Sequence, residues 1–400
     1  MLESYQVEHN SQNIYYRSIV GAAEAGSRLR LGIRIRTYEP IQQVLVRLWQ
    51  DQTGERLIPL ETRDTQGEQK FYTAWFNLPD YGCLVWYYFI ITMESGTYFY
   101  GNNAEMLGGV GALSTSAPES YQITIYNKGA RTPDWFKNAV MYQIFPDRFA
   151  RAGDTIVKKK GAVIRTDWTD DPMYLKDPDT KEIIAYDFFG GNLRGVMEKL
   201  DYLKSLGISC IYFNPVFESE SNHHYDTGDY HKIDPVLGDI EDFRALVTAA
   251  EQRGIRIILD GVFSHTGSNS IYFNRQHQYR SIGAYQSKES PYYSWYHFRN
   301  YPNEYDCWWD FDTLPNVNET DPAYMDFVIT GKDSVLHHWM NEGIAGWRLD
   351  VIDELPPTFS KTFFAELKKR NPDAVMIGEV WEDASNKVAY GTPREYLSGN

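Results

Sequence analysis

One short stretch, residues 345–354, brings acidic and basic side chains to the end of an apolar run. The apolar start is typical of a buried strand, and side chains two positions apart on a strand share a face. Arg348 and Asp350 therefore point the same way, with Asp353 and Glu354 just beyond. A guanidinium beside a carboxylate lowers the pKa of that carboxylate, so we expect an ionised Asp350 suited to act as a nucleophile. Taken alone, the stretch is better explained as a structural ion pair at a strand end.

A second stretch, residues 374–382, favours a catalytic role over a purely structural ion pair. It is again an apolar run, and it delivers Glu379 where the run closes. Two carboxylates on neighbouring strand ends are what glycoside hydrolysis requires, because one must be ionised at the anomeric carbon and the other must protonate the leaving oxygen. Trp381 supplies an apolar wall that we expect to raise the pKa of Glu379.

Three further side chains follow the ends of other apolar runs. Asp260 closes residues 255–260 and is placed to brace Arg348, and His265 follows as a candidate partner for a sugar hydroxyl. Tyr225 offers a ring on which a sugar can stack. Each of these residues, taken singly, is also explained as part of the core or of the surface.

The sequence gives no convincing metal motif. His223 and His224 are adjacent but lack a third ligand at a recognisable spacing. Asp177 and Asp179 are spaced as in a calcium loop but lack the glycine and distal glutamate of an EF-hand. We therefore predict no metal ligands. An esterase is also disfavoured, because no Gly-x-Ser-x-Gly elbow occurs.

Two kinds of elements must position these side chains. Residues 1–126 alternate apolar and polar positions in short runs, as at Leu29, Leu31, Ile33 and Ile35, which predicts an all-β sandwich. From residue 127 to residue 400, strands alternate with helices, which predicts a parallel sheet. A loop-rich insertion is expected at about residues 264–318 after the third strand.

Five apolar runs near residues 139–145, 208–213, 255–260, 345–350 and 374–379 predict the parallel strands, and helices are expected at 193–203, 239–254, 334–340 and 356–369. Functional residues at successive strand ends are typical of a (β/α)8 TIM barrel. The competing doubly wound sheet is disfavoured, because no glycine-rich phosphate loop follows the first strand. About five of the eight barrel strands fall within the 400 residues.

Composition limits the partners. The net charge of −15 and the absence of a basic run argue against nucleic acid and anionic membranes. Only three cysteines occur, with no signal-peptide pattern at the start, and both features favour a cytoplasmic protein. The 11 Trp, 30 Tyr and 20 Phe suit a glycan binder, although most are expected in cores and sheets.

The motifs together resemble the α-amylase family of glycosidases. Asp-Gly-Val-Phe-Ser-His at residues 260–265, Gly-Trp-Arg-Leu-Asp at 346–350 and Gly-Glu-Val-Trp at 378–381 are similar to its first three signature regions. Residues 207–215 and 314–318 are similar to its two auxiliary regions. Residues 142–149 and 225–230, with the N-terminal β-sandwich, resemble the neopullulanase/cyclomaltodextrinase branch of this carbohydrate-metabolising family.

This resemblance implies a role for each matching residue. It makes Asp350 the nucleophile, Glu379 the general acid/base and Arg348 the group that orients Asp350. It places His265 and Tyr225 against the sugar ahead of the scissile bond, and Glu354 towards the leaving-group side. We also expect Asp260 and Trp381 among the substrate-binding residues. It further implies a retaining hydrolase through a covalent glycosyl-enzyme, with the two carboxyl groups about 5–5.5 Å apart.

The sequence departs from the family pattern at three places. Ser264 stands where many relatives have an Asn that helps to bind a structural calcium, so we predict no required cofactor and do not expect calcium there. Glu382 stands where many have His, which bears on the acceptor side. The fourth signature region, with a third carboxylate on the seventh strand, has no counterpart in residues 1–400. We therefore expect either the front part of a longer product or a protein that is not a competent enzyme alone.

Three functions stay open at this stage. The first is a hydrolase of α-1,4-linked glucans, with α-1,6 bonds as a further linkage, acting on cyclodextrins, maltooligosaccharides or pullulan. The second is a transglycosylase on the same substrates. The third is a glycan-binding fragment whose sandwich serves starch binding or a homodimer.

Overall fold

The computed structural model of the chain describes residues 2–153, 159, 161–176, 178, 183–385 and 387–399. The chain divides into two compact units. The first comprises Met1–Arg131, Ala384–Lys387 and Pro393–Asn400, and the second comprises Thr132–Asp383 and Val388–Thr392. The helices within the described residues all fall short of the length and apolar character needed to cross a bilayer.

The first unit is built from β-strands. They are Val7–Glu8 (β1), Ala23–Glu24 (β2), Arg28–Arg36 (β3), Ile41–Gln50 (β4), Gly54–Pro59 (β5), Glu61–Gln66 (β6), Gln69–Asn77 (β7), Cys83–Met93 (β8), Gly96–Gly101 (β9), Ala112–Ser114 (β10) and Tyr121–Tyr126 (β11). One sheet has the order β1-β3-β7-β6, and the other has the order β10-β9-β8-β11-β2 with β4 and β5 attached through β8. The predicted all-β unit is confirmed.

Alternation along the strands gives the two sheets a common core. The side chains of Leu29, Leu31, Ile33 and Ile35 on β3 are fully buried. They belong to one hydrophobic cluster with the inward side chains of β4, β8 and β11. The sequence reading missed β5 and β6, whose charged and polar residues show little apolar alternation and which pair with the edges of longer strands.

The second unit alternates strands and helices. Its strands are Met141–Ile144 (β12), Ala162–Ile164 (β13), Tyr174–Lys176 (β14), Ile183–Phe188 (β15), Cys210–Phe213 (β16), Phe217–Ser219 (β17), Thr227–Ile233 (β18), Arg256–Gly261 (β19), Phe298–Asn300 (β20), Glu304–Tyr305 (β21), Gly346–Leu349 (β22), Val375–Gly378 (β23), Val388–Ala389 (β24) and Thr392–Pro393 (β25). Its helices are Asp134–Lys137 (α1), Leu193–Glu198 (α2), Leu200–Ser205 (α3), Ile240–Glu251 (α4), Pro322–Met325 (α5), Val335–Asn341 (α6) and Pro357–Arg370 (α7).

Five of these strands form one parallel sheet in chain order, β12-β16-β19-β22-β23. They are the five predicted strands, and neighbours in sequence are neighbours in space, as in a (β/α)8 barrel. The close pairing of β22 and β23 depends on Gly346, because a Cβ at that position would lie 2.1 Å from the carbonyl oxygen of Val375. The C-terminal ends of all five strands therefore meet along one edge.

The connecting helices begin and end close to where the sequence predicts. Asp239 caps α4 by accepting a hydrogen bond from the backbone N–H of Asp242 at 2.9 Å. Gly207 ends the helical region after α3 with a positive φ of 81°. The single helix predicted at residues 193–203 is divided into α2 and α3, because Lys199 between them leaves helical geometry with a φ of −92° and a ψ of 0°.

Candidate active site

The C-terminal edge of the parallel sheet collects the predicted carboxylates. Asp260 lies near the end of β19 and is paired in register with Arg348 of β22. Asp350 follows β22, and Glu379 follows β23. Because the strands are parallel and adjacent, side chains from three different chain segments reach the same place.

Arg348 holds three of these carboxylates at once. Its Nη1 donates to Asp260 Oδ1 at 2.8 Å and to Asp350 Oδ1 at 2.6 Å. Its Nη2 lies 2.6 Å from Glu379 Oε2. The backbone N–H of Val351 also donates to Glu379 Oε2, at 3.1 Å. One planar guanidinium therefore sets the relative positions of Asp260, Asp350 and Glu379.

Burial and mutual charge shift the pKa values of three groups in this arrangement. The pKa of Asp350 is raised to about 7, chiefly by burial and then by the charge of Asp260, and Arg348 only partly opposes this rise. Burial also raises the pKa of Asp260, and the two aspartates raise the pKa of Arg348 despite its own burial. The expectation that Arg348 would keep the pKa of Asp350 low is therefore wrong. Arg348 does lower it, but one guanidinium is shared among three carboxylates in a poorly solvated place.

A chain of hydrogen bonds connects this cluster to the other strands. Asp260 Oδ2 accepts from the hydroxyls of Tyr212 on β16 at 2.5 Å and of Tyr225 at 3.2 Å. The Tyr225 hydroxyl in turn accepts from Asn214 Nδ2 at 3.0 Å, and Asn214 Oδ1 accepts from Gln143 of β12 at 3.0 Å. The predicted residue Tyr225 is thus placed in the site, and the sequence reading missed Tyr212.

His265 is buried and neutral. Burial lowers the pKa of His265 to about 4. Its Nε2 lies 3.2 Å from the carbonyl oxygen of Tyr225, which can only accept, so Nε2 donates and Nδ1 accepts from the hydroxyl of Ser264 at 3.0 Å. Its ring packs against Trp308 with centroids 5.4 Å apart.

Glu354 lies beside two tryptophans of the insertion. Trp308 Nε1 donates to Glu354 Oε2 at 2.6 Å, and Trp309 Nε1 donates to Glu354 Oε1 at 3.1 Å. Trp309 also meets the ring of Trp381 edge-on, with centroids 5.8 Å apart. Trp309 and Trp381 are more than half exposed, so they present open aromatic faces next to Glu354.

The backbone of the insertion is strained where Trp309 sits. Trp309 has a φ of 49° and Asp310 a φ of 62°, a left-handed conformation that costs non-glycine residues on the order of 1 kcal/mol each. Two adjacent tryptophans were the only signal of this element in the sequence, and spacing alone does not predict that they contact Glu354.

The residues at the calcium position of relatives do not fit that ion here. The Ser264 hydroxyl is engaged by His265. Within the described parts of the chain, no group of three or more His, Cys, Asp or Glu side chains is arranged to hold a metal. Asp177 and Asp179 lie outside the described residues. His224, by contrast, lies 3.2 Å from the buried carboxylate of Asp234.

Comparisons with known sequences and structures find proteins similar to this chain. An amylopullulanase from Thermoanaerobacter thermohydrosulfuricus is 36% identical over 415 residues, which cover 95% of this chain and 28% of that protein. The intracellular maltogenic amylase of Bacillus subtilis (strain 168) is 37% identical over 258 residues, covering 64% of this chain and 40% of the relative. A solved cyclomaltodextrinase structure superposes with a TM-score of 0.58 at 27% identity, over 95% of this chain and 61% of that one. The chain thus spans less than two thirds of the length of each of these proteins.

The sequence model of the family described as Alpha amylase, catalytic domain, matches residues 143–396. That range covers well over half of the chain and includes Asp260, Arg348, Asp350 and Glu379. The matched segment also carries the parallel strands whose ends bring these four side chains together. By this match and this geometry, the chain belongs to the α-amylase family.

Proposed function

We propose that this protein is a retaining glycoside hydrolase of α-1,4-linked glucans, with α-1,6 bonds as a further linkage. The observation that carries the proposal is the contact of one guanidinium, that of Arg348, with Asp260, Asp350 and Glu379. The names of its relatives, which include amylopullulanase, neopullulanase and cyclomaltodextrinase, support pullulan, cyclodextrins and maltooligosaccharides as substrates.

In the proposed first step, the Asp350 carboxylate attacks the anomeric carbon and the bond to the leaving oxygen breaks. Glu379 gives its proton to that oxygen, and a covalent glycosyl-enzyme forms on Asp350. In the second step Glu379 takes a proton from water, whose oxygen attacks the same carbon and releases Asp350. Two inversions leave the configuration of the sugar unchanged. We expect the two carboxyl groups to lie about 5–5.5 Å apart in the substrate complex.

We expect substrate binding to replace one contact of the ligand-free site, that between Glu379 and Arg348. Glu379 pairs with Arg348 at 2.6 Å and is about one-third exposed. On substrate binding the leaving oxygen takes the place of the guanidinium as its hydrogen-bond partner, and Arg348 retains Asp260 and Asp350. Contacts of catalytic groups in ligand-free sites are commonly rearranged in this way.

The surrounding side chains are proposed to bind the sugar. Asp260, held by Tyr212 and Tyr225, faces the sugar ahead of the scissile bond, with the Tyr225 ring as a stacking surface. His265 lines the same side. Glu354 and Trp381 are assigned to the leaving-group side.

Transglycosylation is a second candidate, because open aromatic faces beside Glu354 suit a sugar as acceptor in place of water. The faces concerned are those of Trp309 and Trp381, both more than half exposed. Longer oligosaccharides appearing from maltotriose would favour transfer. A glycan-binding protein without turnover is the third candidate.

The experiment is the turnover of γ-cyclodextrin and pullulan by the purified protein, with Asp350→Asn and Glu379→Gln alongside. The exposed Asp333 provides a matched control in Asp333→Asn. We expect the first two variants to lose nearly all activity, by at least about 10³-fold, and the control to keep it. If the native protein binds maltooligosaccharides without turning them over, and Asp350→Asn binds them equally well, the protein is a glycan-binding protein and not a hydrolase.

The cellular setting belongs to the same proposal. The three cysteines, Cys83, Cys210 and Cys307, are free thiols, and one relative is named an intracellular enzyme. We propose a cytoplasmic protein whose β-sandwich supports a homodimer, which sedimentation of the purified protein would test.

A further inference from the structure

A cleft of about 300 Å³ lies next to the tryptophan pair of the insertion. It is lined by side chains of three segments: residues 264–319 after β19, the loop after β22, and the turn between β24 and β25. Ser264, His297, Asp306, Trp309, Glu319 and Glu354 are among the residues of this lining. Trp308, which also lines it, packs against His265, so the cleft adjoins the sugar site proposed above.

Both carboxylate oxygens of Glu354 accept hydrogen bonds in this cleft. Each of its oxygens already accepts an indole N–H, from Trp308 at 2.6 Å and from Trp309 at 3.1 Å. These two donors fix the position of the carboxylate, and its remaining lone pairs stay available to a donor on a ligand.

Glu319 is held opposite by a firmly tied turn. The backbone N–H of Val317 donates to Ser264 O at 3.1 Å, and that of Asn318 donates to Trp295 O at 2.6 Å. On the other side of Glu319, the backbone N–H of Asp321 donates to Asn318 O at 2.9 Å. The side chain of Glu319 is therefore kept at the half-buried wall of the cleft.

The surroundings keep a proton on Glu319. Burial raises its pKa to about 8, and the charge of Glu354 adds to the rise. The other ionisable groups facing this region are His297 and Asp306, which pair with each other at 2.7 Å, the buried hydroxyl of Tyr324, and the hydroxyl of Tyr390, an exposed residue that also lines the cleft. Among the described residues that line the cleft there is no Lys or Arg to favour the ionised form.

We propose that Glu319 is a specificity-determining residue of the leaving-group side: its protonated carboxyl donates a hydrogen bond to one hydroxyl of the sugar there, while Glu354 accepts one from a neighbouring hydroxyl. The ligand class is an uncharged α-linked glucose unit, which offers donors and acceptors side by side. This inference rests on the proposed function, because it takes the cleft to be the place of the leaving sugar.

Binding at this side then depends on pH. When Glu319 ionises, its carboxyl no longer donates a hydrogen bond, and the cleft gains a second negative charge beside Glu354. If only the protonated form binds the sugar, a pKa of about 8 leaves about a tenth of the protein competent at about pH 9, so the apparent dissociation constant rises about tenfold from about pH 6.5. A glutamine at position 319 keeps a donor at every pH.

The test is a titration of maltotriose followed by tryptophan fluorescence in Asp350→Asn, which prevents turnover. We expect the dissociation constant to rise about tenfold between about pH 6.5 and about pH 9 in this protein, and to change less than about twofold when Glu319→Gln is added. Glu304→Gln, at an exposed glutamate of the same insertion, is the matched control and should keep the rise. A rise that survives Glu319→Gln, or no rise in Asp350→Asn itself, overturns the proposal.

A second readout separates this inference from the proposed function. In the absence of sugar, ionisation of Glu319 should change the emission of the nearby indoles in a step centred near pH 8, and Glu319→Gln should abolish that step. If the protein neither turns over nor binds glucans, the proposed function fails, and this step still decides whether Glu319 carries the proton. A step that is absent, or that persists in Glu319→Gln, overturns the assignment.

Discussion

Replacing Asp350 by asparagine should stabilise the protein at neutral and alkaline pH. Asp350 is 6% exposed, and its pKa is raised from 3.8 to about 7. The folded state therefore holds a proton on Asp350 between these two pH values, whereas the unfolded state does not. Stability falls as pH rises through this window and levels off above about pH 7, because folding then requires a buried charge. Asparagine removes that cost and keeps an oxygen that can accept from Arg348.

The size of the effect follows from the same difference. About three pKa units correspond to roughly 4 kcal/mol as an upper bound. Arg348 also loses one of its three anionic partners, so we expect a net gain of about 2 kcal/mol at pH 8. For a unit of this size that gain raises the melting temperature by about 5 °C.

The assay is calorimetry of the native protein, Asp350→Asn and the exposed control Asp333→Asn at a series of pH values from about 5 to about 9. The advantage of Asp350→Asn should grow with pH and become constant above about pH 8. A native protein that is the more stable of the two across the series would refute the reasoning. A difference that does not change with pH would refute it as well, because a lost contact and a lost buried charge differ in this respect.

Three further predictions concern activity. Arg348→Lys should lower kcat by at least about 100-fold with an unchanged circular dichroism spectrum, because one ammonium cannot reach three carboxylates. A loss of less than about threefold would show that Arg348 does not position these carboxylates. Asp260→Asn should move the acidic limb of the pH profile of kcat/KM down by about one pH unit, because the charge of Asp260 helps to raise the pKa of Asp350. An unmoved limb would mean that another group titrates there. Trp309→Ala should raise KM for maltooligosaccharides about tenfold through loss of an aromatic face, and an unchanged KM would leave its exposed ring without a role in binding.

The sequence predicted the strand ends well because their signal is local. Near-continuous apolar runs mark β16, β19, β22 and β23, and the polar residue that closes each run must lie at the same edge of a parallel sheet. The contact of Arg348 with Asp350 follows from their two-residue spacing on β22. The contact of Arg348 with Asp260 follows from the adjacency of β19 and β22, which the predicted barrel implies.

Spacing could not predict contacts made by the long insertion. Trp308 and Trp309 reach Glu354 from 46 and 45 positions earlier in the chain, and their strained turn contains no glycine that would have indicated it. The raised pKa of Glu319 could not be predicted from the sequence either, because it depends on burial and on a charge from another segment. The same limitation explains the wrong expectation for the pKa of Asp350, in which the adjacent arginine was counted and the depth of the site was not.

The most direct test of the paired-carboxylate assignment uses α-maltosyl fluoride with Glu379→Gln. Fluoride leaves without a proton, so this variant should still form the glycosyl-enzyme, and it should then accumulate because no base activates water. Peptide mass spectrometry is expected to find one maltosyl group on the peptide containing Asp350, and the native protein should release the α-anomer. A maltosyl group on another residue, or release of the β-anomer, would contradict the account.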